Sequence, residues 1–299
     1  MGALRFITDF FSKIMGEIVA KLVGEIIVTA FIGFVIFIRK YIVRHAAIAY
    51  RSISSLVRGR RYILLWIDTH QIVAQRLVAK IQTRFKDSDI RILNAPAALL
   101  RCPMRPRFTE AIVLLNTDVS KLAADDRLRD KLQLRIEAFL LRGGGLIGTH
   151  DVIYRRARNE RLQRAFGGKV TDFRRVDQPV EYIKVAEHRD HPISRHMPTR
   201  FSLRDGEIIW GQWAADTQTL FETPEPDRHS LVVVRNYHRG RLVWLSSCDQ
   251  GEQVCRAIGV PEVHFVDLLA ASMRWVTQRH WTPRSYPFVV AHRGIGAGA

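Results

Sequence analysis

The chain has 299 residues, 47% hydrophobic and 25% charged, an ordinary balance for a globular protein that excludes wholesale disorder. Lys and Arg outnumber Asp and Glu by 46 to 29, and the resulting formal charge of +17 suits an anionic membrane face or another polyanion. Cys102, Cys248 and Cys255 make neither an even framework nor a CxxC pair, which argues against a disulfide scaffold or structural zinc and fits a reducing compartment.

Residues 1–45 read as an amphipathic lead-in followed by one transmembrane helix. From 22 to 38 the sequence LVGEIIVTAFIGFVIFI is apolar except for Glu25, and apolar neighbours on both sides bring it to the roughly 20 residues that a span requires. Arg39, Lys40, Arg44, Arg51, Arg58, Arg60 and Arg61 follow. A cleaved signal peptide would carry its basic residues before the apolar run. Positive charge stays inside, so the expectation is a single-pass protein of the inner membrane with its N-terminus outside and its main domain in the cytosol. In the lead-in, Arg5, Asp9, Lys13, Glu17, Lys21 and Glu25 recur every four residues, mostly alternating in sign, beside Gly16, Ala20 and Gly24 at the same spacing. This pattern describes either a solvated amphipathic face or helices that approach closely and neutralise one another, which would make the protein a homo-oligomer.

Residues 46–61 form a basic linker, 62–282 an α/β domain and 283–299 a loose tail without core pattern. Within the domain, 62–67 is a near-continuous apolar run suited to a strand buried on both faces. A helical pattern opens at 68–70 and runs to about 85, strands follow at 90–93 and 111–115, and a helix over 125–141 leads to a fourth strand at 145–149. The second half offers a β-rich stretch over 180–185, an antiparallel pair at 231–234 and 241–245 joined around His238-Arg239-Gly240, and a closing amphipathic helix over 263–277. Alternating strands and helices predict a doubly wound, mainly parallel sheet, in which ligands bind at the strands' carboxyl ends. Asp68 with His70, Asn116 with Asp118, and His150 with Asp151 each fall at such an end, so the three pairs are expected to converge on one small-molecule site.

Histidine titrates near neutrality and carboxylates orient it, so His70 and His150 beside Asp68 and Asp151 suit an acid–base pair or, equally simply, a polar cluster that only binds. Cys248 beside Asp249 is a poor nucleophile, because an acidic neighbour raises a thiol pKa. The Gly143-Gly144-Gly145 run precedes a strand instead of opening a helix, so it reads as a helix C-cap and tight turn rather than a phosphate loop. His188 and His191 belong to a turn, and Trp210, Trp213 and Phe221 are either pocket walls or core. No metal-ligand spacing and no nucleic-acid recognition motif is present, and no cofactor class is singled out.

In chain order, Trp66 and His70, Arg142 through His150, Phe166-Gly167-Gly168, Asp190-His191-Pro192-Ile193 with Met197-Pro198, Phe201 through Asp205, Tyr237 through Arg241, and Met273-Arg274-Trp275 resemble the ThuA-like family, named for trehalose utilisation. The likeness covers about 62–278, and the family it resembles lies within the class I glutamine amidotransferase-like superfamily. It implies a flavodoxin-like doubly wound fold and an association with sugar or glycoside metabolism. In that superfamily the turn after the fourth strand carries a nucleophilic cysteine, where this chain has His150. The family's Asp-Glu pair is replaced by Asp205-Gly206-Glu207 and its late Gly-His-Asp by Ser247-Cys248-Asp249, so the resemblance adds Asp205, Glu207 and Asp249 to the ligand-binding set. The expected function is a membrane-tethered domain that binds a nucleotide or sugar derivative and signals or acts through oligomerisation of its helix, with a defence effector as one output; the alternative is an anchored hydrolase or isomerase acting on a sugar.

Overall fold

The computed structural model describes residues 15–16, 21, 23–39, 41–42, 61–67, 71–85, 88–93, 96–115, 125–156, 159–176, 178–204, 207–224, 226, 228–246 and 263–277. Two compact units divide it, 1–57 and 58–299. In the second, the chain runs β1 (Arg61–Ile67), α1 (Gln71–Gln82), β2 (Ser88–Leu93), α2 (Pro96–Leu100), β3 (Thr109–Leu115), α3 (Asp126–Leu141), β4 (Gly145–Thr149), α4 (Glu160–Phe166), β5 (Gly168–Arg175) and β6 (Val180–Lys184). It continues through α5 (Pro192–Arg195), β7 (Arg200–Leu203), β8 (Glu207–Trp213), β9 (Gln218–Glu222), β10 (Ser230–Tyr237), β11 (Gly240–Leu245) and α6 (Val263–Val276).

Among the described residues, nine strands form one sheet in the order β2-β1-β3-β4-β11-β10-β9-β6-β7, and β5 pairs with β8 in a second, two-stranded sheet. The pairings from β2 through β11 are parallel, whereas β11 to β10, β10 to β9, β9 to β6 and β6 to β7 are antiparallel. The sheet is therefore mixed, parallel through the first four strands and β11 as the sequence suggests, and antiparallel beyond. The reason is in the connections. Helices separate the first four strands and allow parallel return, while the two-residue turn between β10 and β11 permits only reversal.

Helices cover both faces, as double winding requires. Alternate residues of each central strand serve the two layers: Ala111, Val113, Val243 and Leu245 join the cluster under α1 and α6, and Ile112, Leu114, Leu242 and Trp244 join the cluster under α2, α3 and α4. All of these side chains are fully buried.

The glycine run is where the layers come closest. Asp125 caps α3 by accepting from the Arg127 amide at 2.9 Å, and the helix ends as Gly143 turns at φ 94° and donates its amide to Leu140. A Cβ on Gly144 would sit 2.3 Å from the Phe139 ring, and one on Gly145 would sit 2.6 Å from Val276 of α6. The run is a C-cap and a close-packing device, as its place before a strand predicts.

In the first unit, residues 23–39 are helical and 41–42 continue in helix. Ile26, Val28, Phe31, Phe34 and Phe37 are all more than half exposed. At 1.5 Å per residue the described run covers about 25 Å, against about 30 Å of bilayer hydrocarbon. Among the described residues no helix is long and apolar enough to cross a membrane. Of the charge ladder, Arg5, Asp9, Lys13 and Glu17 lie outside the described residues, as do the linker 46–60 and the tail 283–299.

Because the Phe139 ring occupies the space a methyl group would need, Gly144→Ala is expected to destabilise the domain by about 1–3 kcal/mol. A urea midpoint that falls while the slope stays constant would show this; an unchanged midpoint would mean that the ring moves aside freely.

Candidate functional site

Parallel pairing sets Ile67 beside Leu115, Leu114 beside Gly148 and Thr149 beside Leu245, so the carboxyl ends of β1, β3, β4 and β11 share one edge. The chain leaves β1 toward β2 on one side and later toward β3 on the other. That divergence marks the switch point, the position at which open α/β sheets bind their ligands. Asp68, His70, Asn116, Asp118 and Asp249 occupy segments directly following these strands in sequence and lie outside the described residues, as does Asp205. Thr149 is fully buried and Asp151 half-buried. His150 opens a short 3-10 turn over His150–Ile153, described in its backbone only. Glu207, likewise backbone only, opens β8 opposite Arg175 in the two-stranded sheet rather than ending a strand of the large one.

The turn after β4 is held from below. Asn159 is buried and donates from Nδ2 to the Val152 carbonyl at 2.8 Å, and Gln163 donates to the Tyr154 carbonyl at 3.2 Å. Gly148 makes room, since a Cβ there would meet Phe166 at 2.9 Å and Val152 at 3.2 Å. This packing fixes where the chain leaves the sheet and presents Asp151 at the switch edge. On β11, Ser246 follows the strand end and shares a 2.8 Å hydrogen bond with the Tyr182 hydroxyl, both buried. Polar groups of β4 and β11 at this edge are thus fixed by the fold.

The opposite, amino edge carries features that sequence reasoning placed only in a turn. His191 caps α5 by accepting the Ile193 amide on Nδ1 at 3.2 Å, and Pro192 supplies the preset first turn. Its ring lies 5.0 Å from that of Trp275. Burial first, then the charges of His188 and Arg241, push its pKa down to about 4. The Asp-His-Pro-Ile tetrad is therefore structural, and the Pro one residue after a side-chain acceptor was the signal for a cap. Nearby, Tyr237 donates to Glu137 at 3.2 Å and Arg161 donates to the same carboxylate at 2.9 Å, tying β10 to α3 and α4. Burial and the Glu137 charge raise the Tyr237 pKa. Of the aromatics read as either pocket walls or core, Phe221 is fully buried, while half-buried Trp213 lies 4.8 Å from Trp244 and half-buried Trp210 lies 4.6 Å from His229.

This geometry defines a doubly wound α/β domain with a switch point at β1 and an antiparallel extension. No family model and no curated protein matches the chain. Solved structures do. Cytoplasmic protein STM1381 from Salmonella typhimurium LT2 is 15% identical over 72% of this chain and 99% of its own, with a TM-score of 0.55. Cytoplasmic protein STM3548 from Salmonella typhimurium is 12% identical over 72% and 98%, at 0.53. A ThuA-like protein from Parabacteroides merdae ATCC 43184 is 11% identical over 76% and 94%, at 0.51. At these identities the likeness is one of fold.

The His191 pKa has a consequence for stability. Between pH 6.5 and 4 the unfolded chain binds a proton on this residue that the folded chain refuses, so its stabilising contribution is complete above 6.5 and is lost as pH falls toward 4. His191→Asn keeps a capping acceptor without titration and is expected to flatten the acid limb of stability over that window. Equal limbs in wild type and variant, followed by urea midpoint, would contradict this.

Proposed function

We propose that the chain is a membrane-tethered, ThuA-like α/β domain that binds a small polar ligand, a nucleotide or sugar derivative, at the carboxyl edge of its parallel strands and acts through association of its N-terminal helix. The observation that carries the tether is the helix over 23–39. Ile26 is 64% exposed, Val28 56% and Ile36 49%, and these positions point in different directions around the axis. A helix apolar all round is stable in lipid or in a packed bundle and not in water. Arg39 and Lys40 end the run, Tyr41, Ile42 and Val43 add apolar residues beyond them, and the sequence then stays basic, which favours a cytosolic domain.

The site is supported by the switch-point position of the segments bearing Asp68, His70, Asn116, Asp118, His150, Asp151 and Asp249. Asp205 and Glu207 rest on the family resemblance alone. Ligand occupancy of this edge couples to association of the chains. The family's link to sugars supports the second reading, an anchored hydrolase or isomerase in which His150 and Asp151 move a proton. The two readings differ in where the helix matters.

Reversing the charges of Lys13, Glu17 and Lys21 in the full chain reconstituted in liposomes is expected to change oligomer size and dye permeability while leaving unchanged the small molecule retained in native mass spectrometry. Unaltered oligomers and permeability, together with turnover of a retained sugar that His150→Ala abolishes, would establish the enzyme instead.

A further inference from the structure

β5 and β8 leave the large sheet and pair with each other in a two-stranded ribbon. Their register sets Asp172 beside Trp210, Phe173 beside Ile209 and Arg174 beside Ile208, and it shifts between Val170 and Asp172, where Thr171 is the extra residue of a bulge. Bulges bend a strand and re-aim its side chains. Val170 and Ile209 are buried in the cluster under α2, α3 and α4. Phe173 lies beyond the bulge. It shares the face of Ile209, because opposed residues of an antiparallel pair point the same way, yet it is 39% exposed.

Tyr154 holds this ring. It bridges to Val170, and the following Arg155 amide donates to the Val170 carbonyl at 2.9 Å, so the segment runs along the outer edge of β5. Half-buried Tyr154 packs on the cluster and meets Phe173 with ring centroids 6.1 Å apart and planes at 64°. A tilted neighbour fixes a ring without stacking flat upon it. Charge gathers about the same junction: Lys169 precedes Val170, and Arg155 and Arg156 follow Tyr154. All three are exposed, and they form no ion pair among the described residues. Arg174 is engaged over the Trp210 ring at 5.9 Å and is not counted with them. The acidic residues of the ribbon are Asp172, whose Oδ1 accepts the Phe173 amide at 2.9 Å, and Glu207 at the start of β8.

An exposed aromatic ring beside unpaired cations suits a chain of phosphates whose bases are free to stack. Bases inside a duplex are not free, and a lipid headgroup offers phosphate without a ring. We propose that the β5–β8 ribbon binds single-stranded nucleic acid, with a base stacked on Phe173 and backbone phosphates paired by Arg155, Arg156 and Lys169. The inference stands apart from the membrane tether and from the carboxyl-edge ligand. Of the residues assigned to that ligand, only Glu207 lies on the ribbon.

The test is fluorescence anisotropy of a labelled, mixed-sequence single-stranded RNA of about 12 nucleotides, within the span such sites cover, titrated with the full chain in non-ionic detergent at several salt concentrations. Binding is expected to weaken with salt, and changing Arg155, Arg156 and Lys169 together to Gln is expected to reduce the slope of log affinity against log salt by about 2. Phe173→Ala and Phe173→Leu are each expected to weaken binding about tenfold, and Phe173→Trp to keep it. Because Leu retains apolar volume, its loss reads the aromatic ring itself, and melts followed by circular dichroism report the fold of each variant. A control removes equal charge elsewhere: Arg101, Arg105 and Arg107, exposed before β3, changed together to Gln, are expected to leave affinity near wild type. No binding of the RNA by the wild-type chain would overturn the proposal. So would equal losses in the two triple variants, wild-type affinity in Phe173→Leu, or a duplex of the same sequence bound more tightly than the single strand.

Discussion

The structure depends on burying one layer of backbone from both sides. β3, β4 and β11 sit between two apolar clusters, and each sends alternate side chains into each of them. Ala111 through Leu115, Leu146, Ile147 and Leu242 through Leu245 are all at zero exposure, so the middles of these strands are apolar on both faces and polar side chains stand toward the ends. The same requirement explains the glycines around β4. Gly144 admits the Phe139 ring, Gly145 admits Val276, and Gly148 admits Phe166 and Val152. A single strand thus receives a helix from each side at contact distances no other residue allows, and its ends are fixed as a consequence.

Fixing the ends divides the domain into two edges of different character. At the carboxyl edge, the strand order places the switch point beside β1, where open α/β sheets bind ligands. At the amino edge the ends are closed: the β10–β11 turn is clamped on α3, His191 caps α5 against Trp275, and Arg241 seals the end of α6. The histidine at the closed edge is held neutral by burial, which suits a cap and not an acid.

The first half of this fold was legible in the sequence because its signals are periodic and local. Apolar runs at 62–67 and 111–115 declare strands buried on both faces, and a capping aspartate with a glycine stop brackets α3. The antiparallel half was only partly legible. β7 alternates exposed and buried residues over four positions, too short a run to read alone. β5 and β8 leave the main sheet altogether, a choice made by tertiary packing that no local pattern encodes. For the site, strand ends could be named from sequence, and the switch point follows from the strand order. Asp68, His70, Asn116, Asp118, Asp205 and Asp249 lie outside the described residues, and their convergence is an expectation from strand order, since no local pattern encodes where a connecting segment goes.

The membrane tether is the claim on which the functional account stands, and the helix over 23–39 is its physical basis. Alkaline carbonate extraction of membranes from cells expressing the full chain tests it directly, because high pH strips peripheral proteins and leaves spanning helices in place. The account expects the chain to remain wholly in the pellet, and a version lacking residues 1–45 to appear in the supernatant. Release of the full chain into the supernatant would contradict it.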